Sequence, residues 1–203
     1  MGAIKTQIKA LVKTHGSKSN ARKEAEAWYA SSLKSFRNKE VVKSTILRFR
    51  PGKIYVFRYD TPKTEETLEW WDRSPVVLAL DPYKGNDVGI NLNLLPIAVK
   101  EELLDLVYTR LQGEIKTNET RAAQNAEAQS SLRLTYVGAK AFLDQYGFSF
   151  AIRQYIPNLK RKQAVISYEN WSKIVLCDFI ELNGTTIGAV KYLFRKYYNN
   201  KNI

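Results

Sequence analysis

The sequence is poor in the residues that most often build metal sites and covalent cross-links. Its 203 residues include one cysteine, Cys177, and one histidine, His15. A single cysteine excludes an intrachain disulfide, and one cysteine with one histidine cannot supply the four ligands of a structural zinc site. A hydrolase of the Ser-His-Asp type would have to use His15, in a predicted N-terminal tail, as its base. The sequence therefore predicts no metal site and disfavours triad chemistry.

Long apolar runs and nucleotide-binding motifs are also missing. No stretch of eighteen apolar residues occurs, and the N-terminus lacks the apolar core and cleavage site of a signal peptide. The chain has no P-loop, dinucleotide fingerprint or internal repeat. These absences predict an intracellular protein without a membrane partner and without a cofactor. Because 44% of the residues are hydrophobic, the chain can still bury a substantial core.

Positive charge is abundant and is concentrated toward the two ends of the chain. The net charge is +12, from 32 lysines and arginines against 20 aspartates and glutamates. Residues 1–50 carry twelve basic and three acidic side chains, residues 151–203 carry nine and three, and the middle is slightly acidic. Basic flanks around a nearly neutral centre predict a polyanionic partner, most often nucleic acid and sometimes an acidic protein surface. The alternative is that the basic residues serve only solubility.

Three β-type runs lie within residues 51–96. The first, 53–59, alternates between two faces, and the third, 88–94, alternates in the same way. The second, 75–80, is continuously apolar, as expected of a strand buried on both faces. Residues 81–87 have the Pro/Gly/Asn composition of a hairpin turn. This succession predicts a small antiparallel sheet.

Most other segments have helical periodicity, so the predicted class is α+β. We expect a small antiparallel β meander or an SH3-like barrel flanked by amphipathic helices. Residues 1–20 are predicted to form an extended basic N-terminal arm that includes a short helix. Residues 21–203 are predicted to form a single domain, β-rich over 46–96, helical over 97–146 and mixed over 147–198.

Basic residues interleaved with apolar or aromatic ones are the candidate contacts for a polyanion or an acidic partner. They occur just before the first strand, beside the tyrosines of the C-terminal third and on the outer face of the last predicted helix. Such residues bind phosphates without reading sequence, but they also occur on ordinary surfaces. Cations in a last helical turn also complement the helix dipole. The candidates are Lys43, Arg48, Arg50, Arg153, Lys160, Arg161, Lys162, Lys191 and Arg195.

One tripeptide raises an enzymatic alternative. Glu114-Ile-Lys116 is similar to the end of the nuclease pattern Asp…Glu-x-Lys. In that pattern two carboxylates and a lysine surround Mg²⁺ at the end of a strand. Here the tripeptide follows a predicted helix, so the nuclease interpretation is disfavoured.

The β-rich region also contains a specific succession of residues in a specific spacing. The positions are Pro51, Gly52, Tyr55, Phe57, Tyr59, Pro62, Lys63, Leu68, Trp70, Trp71, Asp72, Pro75, Gly89, Asn91, Leu92, Leu95 and Pro96. A second, looser set lies in 152–162 and 167–171. Together the two blocks resemble virion proteins of large tailed bacteriophages, the DNA end protector or head-completion proteins. The sequence departs from that pattern at 70 and 71, where tryptophans replace the usual tyrosines, and after Trp171, where no Leu-Pro pair follows.

The resemblance implies a non-enzymatic structural protein of the virion, at the head–tail connector or neck, that contacts packaged DNA ends. It implies portal, connector or tail subunits and double-stranded DNA as partners, a homo-oligomeric ring, and synthesis in the host cytoplasm. No catalytic residue is carried over from the family. The alternative is a tail or baseplate subunit that docks on acidic proteins without touching DNA. The residues expected to form a docking scaffold are Tyr55, Phe57, Tyr59, Trp70, Trp71, Asp72, Gly89 and Asn91.

Overall fold

A computed structural model of the chain describes residues 2–38, 48–59, 74–118 and 135–177. These ranges contain five α-helices and five β-strands, so the predicted α+β class is confirmed. No helix within them is both long enough and apolar enough to cross a membrane. The helices are α1 (Ala3–Thr14), α2 (Lys18–Asn38), α3 (Ile97–Asn118), α4 (Tyr136–Asp144) and α5 (Trp171–Leu176). The strands are β1 (Ile54–Tyr59), β2 (Val76–Ala79), β3 (Asp87–Asn91), β4 (Ile152–Tyr155) and β5 (Lys160–Ile166).

The strands form one antiparallel sheet in the order β4-β3-β2-β1-β5. The first four strands are neighbours in sequence and in space, which is the predicted meander, and β5 returns to pair with β1. The two edge strands, β4 and β5, are joined through a 3-10 turn at Pro157–Leu159. Because this connection is so short, the sheet curls, and the N–H of Ile156 donates to the hydroxyl of Tyr59 at 3.3 Å. No ladder joins β4 to β5 within the described ranges, so the sheet is open there.

The third β-type run ends earlier than its alternation predicts. The sequence predicts a strand through Leu94, but β3 stops at Asn91. The side chain of Asn91 accepts a hydrogen bond from the N–H of Asn93 (3.1 Å) and begins a 3-10 turn over Leu92–Leu94. Asparagine commonly binds its own backbone two residues on, in competition with strand pairing. The predicted scaffold residue Asn91 is therefore a buried turn-former.

One face of the sheet packs against the helices and forms the main core. Alternate residues of β1 and β2, such as Ile54 and Leu78, point to this face, while their neighbours point to the other. β2 is buried along its whole length, as its continuous apolar run predicts. Trp171 of α5 is the largest side chain that is completely buried in this core.

The N-terminal helix α1 belongs to the main core and does not extend away from it. Ile4 and Ile8, one turn apart, are buried against the other helices. The N–H of Ile4 also donates to the carboxylate of Asp105 on α3 at 2.9 Å. The expected short helix is therefore present, but its apolar stripe draws it onto the domain. An extended arm would leave both isoleucines in water.

The other face of the sheet carries a second cluster, here called the aromatic cluster. Phe49 stacks on Tyr55 with 4.8 Å between ring centres, and Tyr155 meets Phe57 and Tyr59 edge-to-face at 5.2 and 5.4 Å. Each such pair contributes about 0.5–1.5 kcal/mol beyond the burial of its area. The predicted scaffold residues of β1 thus serve packing. The cluster consists of Phe49, Tyr55, Phe57, Tyr59, Val77, Ala79 and Tyr155.

Gly89 allows β3 to lie close against β2. A Cβ atom at this position would lie 2.8 Å from the carbonyl oxygen of Leu78 and 2.2 Å from a methyl carbon of Val77. Contacts this short require the backbone of the neighbouring strand to move. Gly89 is therefore a requirement of sheet packing.

We expect Gly89→Ala to destabilise the protein by about 1–3 kcal/mol, since overpacking forces backbone shifts of this cost. Chemical unfolding followed by circular dichroism measures the change. Gly138→Ala is the control, because its Cβ would meet only the Thr135 hydroxyl at 3.4 Å within α4. Alanine favours a helix over glycine by up to about 1 kcal/mol, so the control should be neutral or stabilising. Equal stability of Gly89→Ala and the wild type would contradict the packing argument.

Candidate nucleic-acid interface

A buried ion pair lies beneath the candidate interface. Lys160, the first residue of β5, donates to the carboxylate of Asp87, the first residue of β3. Their side chains are 1% and 2% exposed. The ammonium also lies 4.0 Å from the centre of the Phe49 ring, which gives a cation–π contact. The pair is thus enclosed by the aromatic cluster.

Lys160 is a predicted polyanion contact, and the structure corrects this prediction. Its ammonium points inward because Asp87 and Phe49 offer it a carboxylate and a ring face inside the curled sheet. Burial lowers the pKa of Lys160, the hydrogen bond and charge of Asp87 oppose that shift, and the nearby Arg48 adds to the lowering. The charged form is therefore held in place chiefly by Asp87. Lys160 serves the architecture of the site and not its surface.

Asp87 also fixes the segment that enters β1. One of its carboxylate oxygens accepts from the N–H of Phe49 at 3.3 Å and lies 3.6 Å from the guanidinium of Arg48. The N–H of Arg50 donates to the hydroxyl of Tyr55 at 2.9 Å. Phe49 and Arg50 are thus bound to the sheet through their backbone N–H groups. This arrangement leaves the side chain of Arg48 55% exposed.

Exposed cations lie on the strands and turns that this ion pair connects. Arg58 of β1 and Arg161 of β5 are directly opposite each other in the strand register, and both are exposed. Lys162 follows at the register irregularity with a positive φ of 50° and is also exposed. Arg161 follows Lys160 in β5, and both Lys160 and Arg48 contact Asp87. The exposed side chains of Arg48 and Arg161 are therefore connected through the same buried carboxylate. We define the basic rim as Arg48, Arg58, Lys84, Arg161 and Lys162.

The other predicted contacts fall into two groups. Arg50 is exposed beside the rim, whereas Arg153 on β4 is half-buried opposite Gly89 in the register. Lys43, Lys191 and Arg195 lie outside the described residues, as do the scaffold residues Trp70, Trp71 and Asp72. Three residues of the site were missed by sequence reasoning, namely Arg58, Lys84 and Asp87. One feature of the sequence could have identified Arg58, because it is the one charged residue in the otherwise apolar and aromatic strand IYVFRY.

Family comparison gives this geometry its context. Residues 1–195 match the protein family described as Phage T4 terminal DNA protecting protein. The chain belongs to this family. The resemblance to phage DNA end protectors is therefore confirmed, and it extends over almost the whole chain. No curated protein and no solved structure matches the sequence.

The nuclease tripeptide has a different setting in this member of the terminal DNA protecting family. Glu114-Ile-Lys116 lies within α3, which continues to Asn118, and not at the end of a strand. The part of the chain that the structure describes contains no group of three or more His, Cys, Asp or Glu side chains placed to hold a metal ion.

We expect Asp87→Ala to destabilise the protein by about 3–5 kcal/mol, because it leaves the Lys160 ammonium buried without its carboxylate. The double variant Asp87→Leu, Lys160→Met should recover most of that loss, since replacing a buried pair with apolar groups is often neutral or stabilising. Urea unfolding measures both effects.

The control for this prediction is Asp144→Ala in α4, which breaks the exposed pair between Asp144 and Lys140. Surface pairs of this kind contribute little, so stability should hardly change. If Asp87→Ala behaved like Asp144→Ala, the buried pair would not be the support of the rim.

Proposed function

We propose that this protein is a non-enzymatic structural component of the phage particle that covers the ends of packaged duplex DNA. The observation that carries the proposal is the basic rim, in which Arg58 and Arg161 stand side by side across two strands. A phosphate backbone lying over this position meets two guanidinium groups at once. Membership of the terminal DNA protecting family supports the same function.

The chemistry of the rim suits a protein that must bind ends of any sequence. Arginine and lysine contacts to phosphates provide affinity through counterion release and carry no sequence information. Both facing residues are arginines, whose planar guanidinium groups bind phosphate oxygens through paired N–H donors. Protection needs only that the bound protein occupy the terminus and exclude an exonuclease. No bond has to be made or broken.

We place the protein at the head–tail connector or neck, as part of a ring that contacts portal, connector or tail subunits. The resemblance to head-completion proteins supports this position, because a DNA end held in a filled capsid lies near the channel through which it leaves. In this arrangement the sheet, with the scaffold residues Tyr55, Phe57 and Tyr59 buried in the aromatic cluster, carries the rim toward the DNA.

The test is salt-dependent binding to a short blunt duplex, measured by fluorescence anisotropy. We expect the double variant Arg58→Ala, Arg161→Ala to weaken binding at low salt. It should also reduce the slope of log affinity against log salt by up to about 2, because each phosphate contact contributes about 0.9. The control is Lys9→Ala, Lys13→Ala, which removes two exposed cations from α1.

Two outcomes would contradict the proposal. If the wild type retains no duplex at low salt, the function shifts to docking on acidic virion proteins. If the two double variants lose affinity equally, binding follows net charge and the rim has no special role. A third measurement tests protection directly, because protein bound to blunt linear DNA should slow its digestion by an added exonuclease.

A further inference from the structure

The turn between β2 and β3 is a tight and well-fixed hairpin. Tyr83 and Asn86 exchange backbone hydrogen bonds of 3.1 and 3.0 Å around the two central residues Lys84 and Gly85. Both central residues have positive φ, 47° and 77°. This is the pattern of a type I′ turn, whose twist matches that of the flanking strands. The turn is therefore a rigid tip and not a loose loop.

Side chains from two other segments hold this tip in place. The amide of Gln154 on β4 donates to the carbonyl oxygen of Tyr83 at 3.2 Å. The guanidinium of Arg48 donates to the carbonyl oxygen of Gly85 at 2.5 Å. A platform fixed in this way loses little conformational entropy when a ligand binds to it.

Lys84 occupies a backbone conformation that favours other residues. Type I′ turns prefer Asn, Asp or Gly at this position, and a residue with a Cβ costs roughly 1–2 kcal/mol in the left-handed region. Backbone strain of this kind is concentrated at functional sites. Despite this strain, residue 84 is a lysine, and its ammonium lies at the end of the hairpin, 5.3 Å from the centre of the Tyr83 ring.

Tyr83 is a large aromatic side chain that remains 55% exposed at this tip. Its neighbours Lys84 and Arg48 are both members of the basic rim. A DNA end differs from the rest of a duplex because one face of its terminal base pair is uncovered. An aromatic ring flanked by cations can stack on that face while the cations contact the adjacent phosphates. Stacking on a base tolerates any sequence, since every base has a π-face.

We propose that the hairpin tip Tyr83–Asn86 recognises the duplex terminus itself. The ring of Tyr83 stacks on the last base pair, while Lys84 and Arg48 contact the phosphates beside it. This inference rests on the proposed function, which requires only that the rim bind phosphates, and it adds the element that distinguishes an end from continuous duplex.

The experiment compares two DNA probes of the same sequence and length, a blunt linear duplex and a covalently closed minicircle without ends. The wild type should bind the linear probe more tightly. Tyr83→Ala should weaken binding to the linear probe about five- to 150-fold, as expected from a loss of about 1–3 kcal/mol per stacked base. Its affinity for the minicircle should be unchanged, and Tyr83→Trp should keep the preference for ends.

Two further variants separate stacking from folding and from general surface effects. Tyr136→Ala removes a tyrosine that is 48% exposed on α4, and it should leave binding to both probes unchanged. Lys84→Gly removes the ammonium but relieves the positive φ, so the protein should unfold at the same or higher denaturant concentration. Its binding to the linear probe should nevertheless fall more than its binding to the minicircle.

The other outcomes are equally decisive. If the wild type binds both probes equally, or if Tyr83→Ala weakens both equally, the end-recognition inference is overturned while phosphate binding by the rim stands. If Tyr83→Ala loses binding to both probes and also unfolds at a lower denaturant concentration than the wild type, Lys84→Gly becomes the deciding variant. An equal loss of affinity for both probes by Lys84→Gly overturns the inference. If the wild type binds neither probe, the proposed function itself fails.

Discussion

The ion pair between Lys160 and Asp87 is the interaction on which the described surface depends. It joins the first residues of β5 and β3, and its carboxylate also holds the backbone of Phe49. A buried ion pair contributes little net stability compared with apolar residues of the same volume, but removing one partner strongly destabilises the fold. In this fold one carboxylate binds both the Lys160 ammonium and the Phe49 N–H, which fixes the entry to β1 against the start of β5. The positions of the exposed residues Arg48 and Arg161 follow from that arrangement.

The two faces of the sheet separate two tasks. The helix-covered face supplies apolar burial, whereas the aromatic cluster surrounds the ion pair. Phosphate contacts and base stacking are separable, because phosphates are accessible along any duplex whereas the face of a base pair is accessible only at an end.

Much of the architecture is accessible from sequence, for reasons visible in single residues. Alternation in β1 sorts Ile54 from Tyr55, and the composition of 81–87 indicates a hairpin turn. The prediction for Lys160 is wrong because three consecutive cations look alike until the partner, 73 positions away, is known. Arg58 gains meaning only from its register with Arg161, which no local pattern contains. Packing of α1 onto α3 likewise depends on Asp105, which binds the Ile4 N–H.

The return of β5 to pair with β1 also constrains how the protein is made. The facing arginines come from strands separated by more than one hundred residues, so closing that pair is a late and entropically demanding event. A chain still emerging from the ribosome can form the β1–β3 meander, but it has no facing arginine pair until β5 arrives. Formation of the facing arginine pair is thereby coupled to completion of the sheet. The facing arginine pair is thus a property of the completed fold alone.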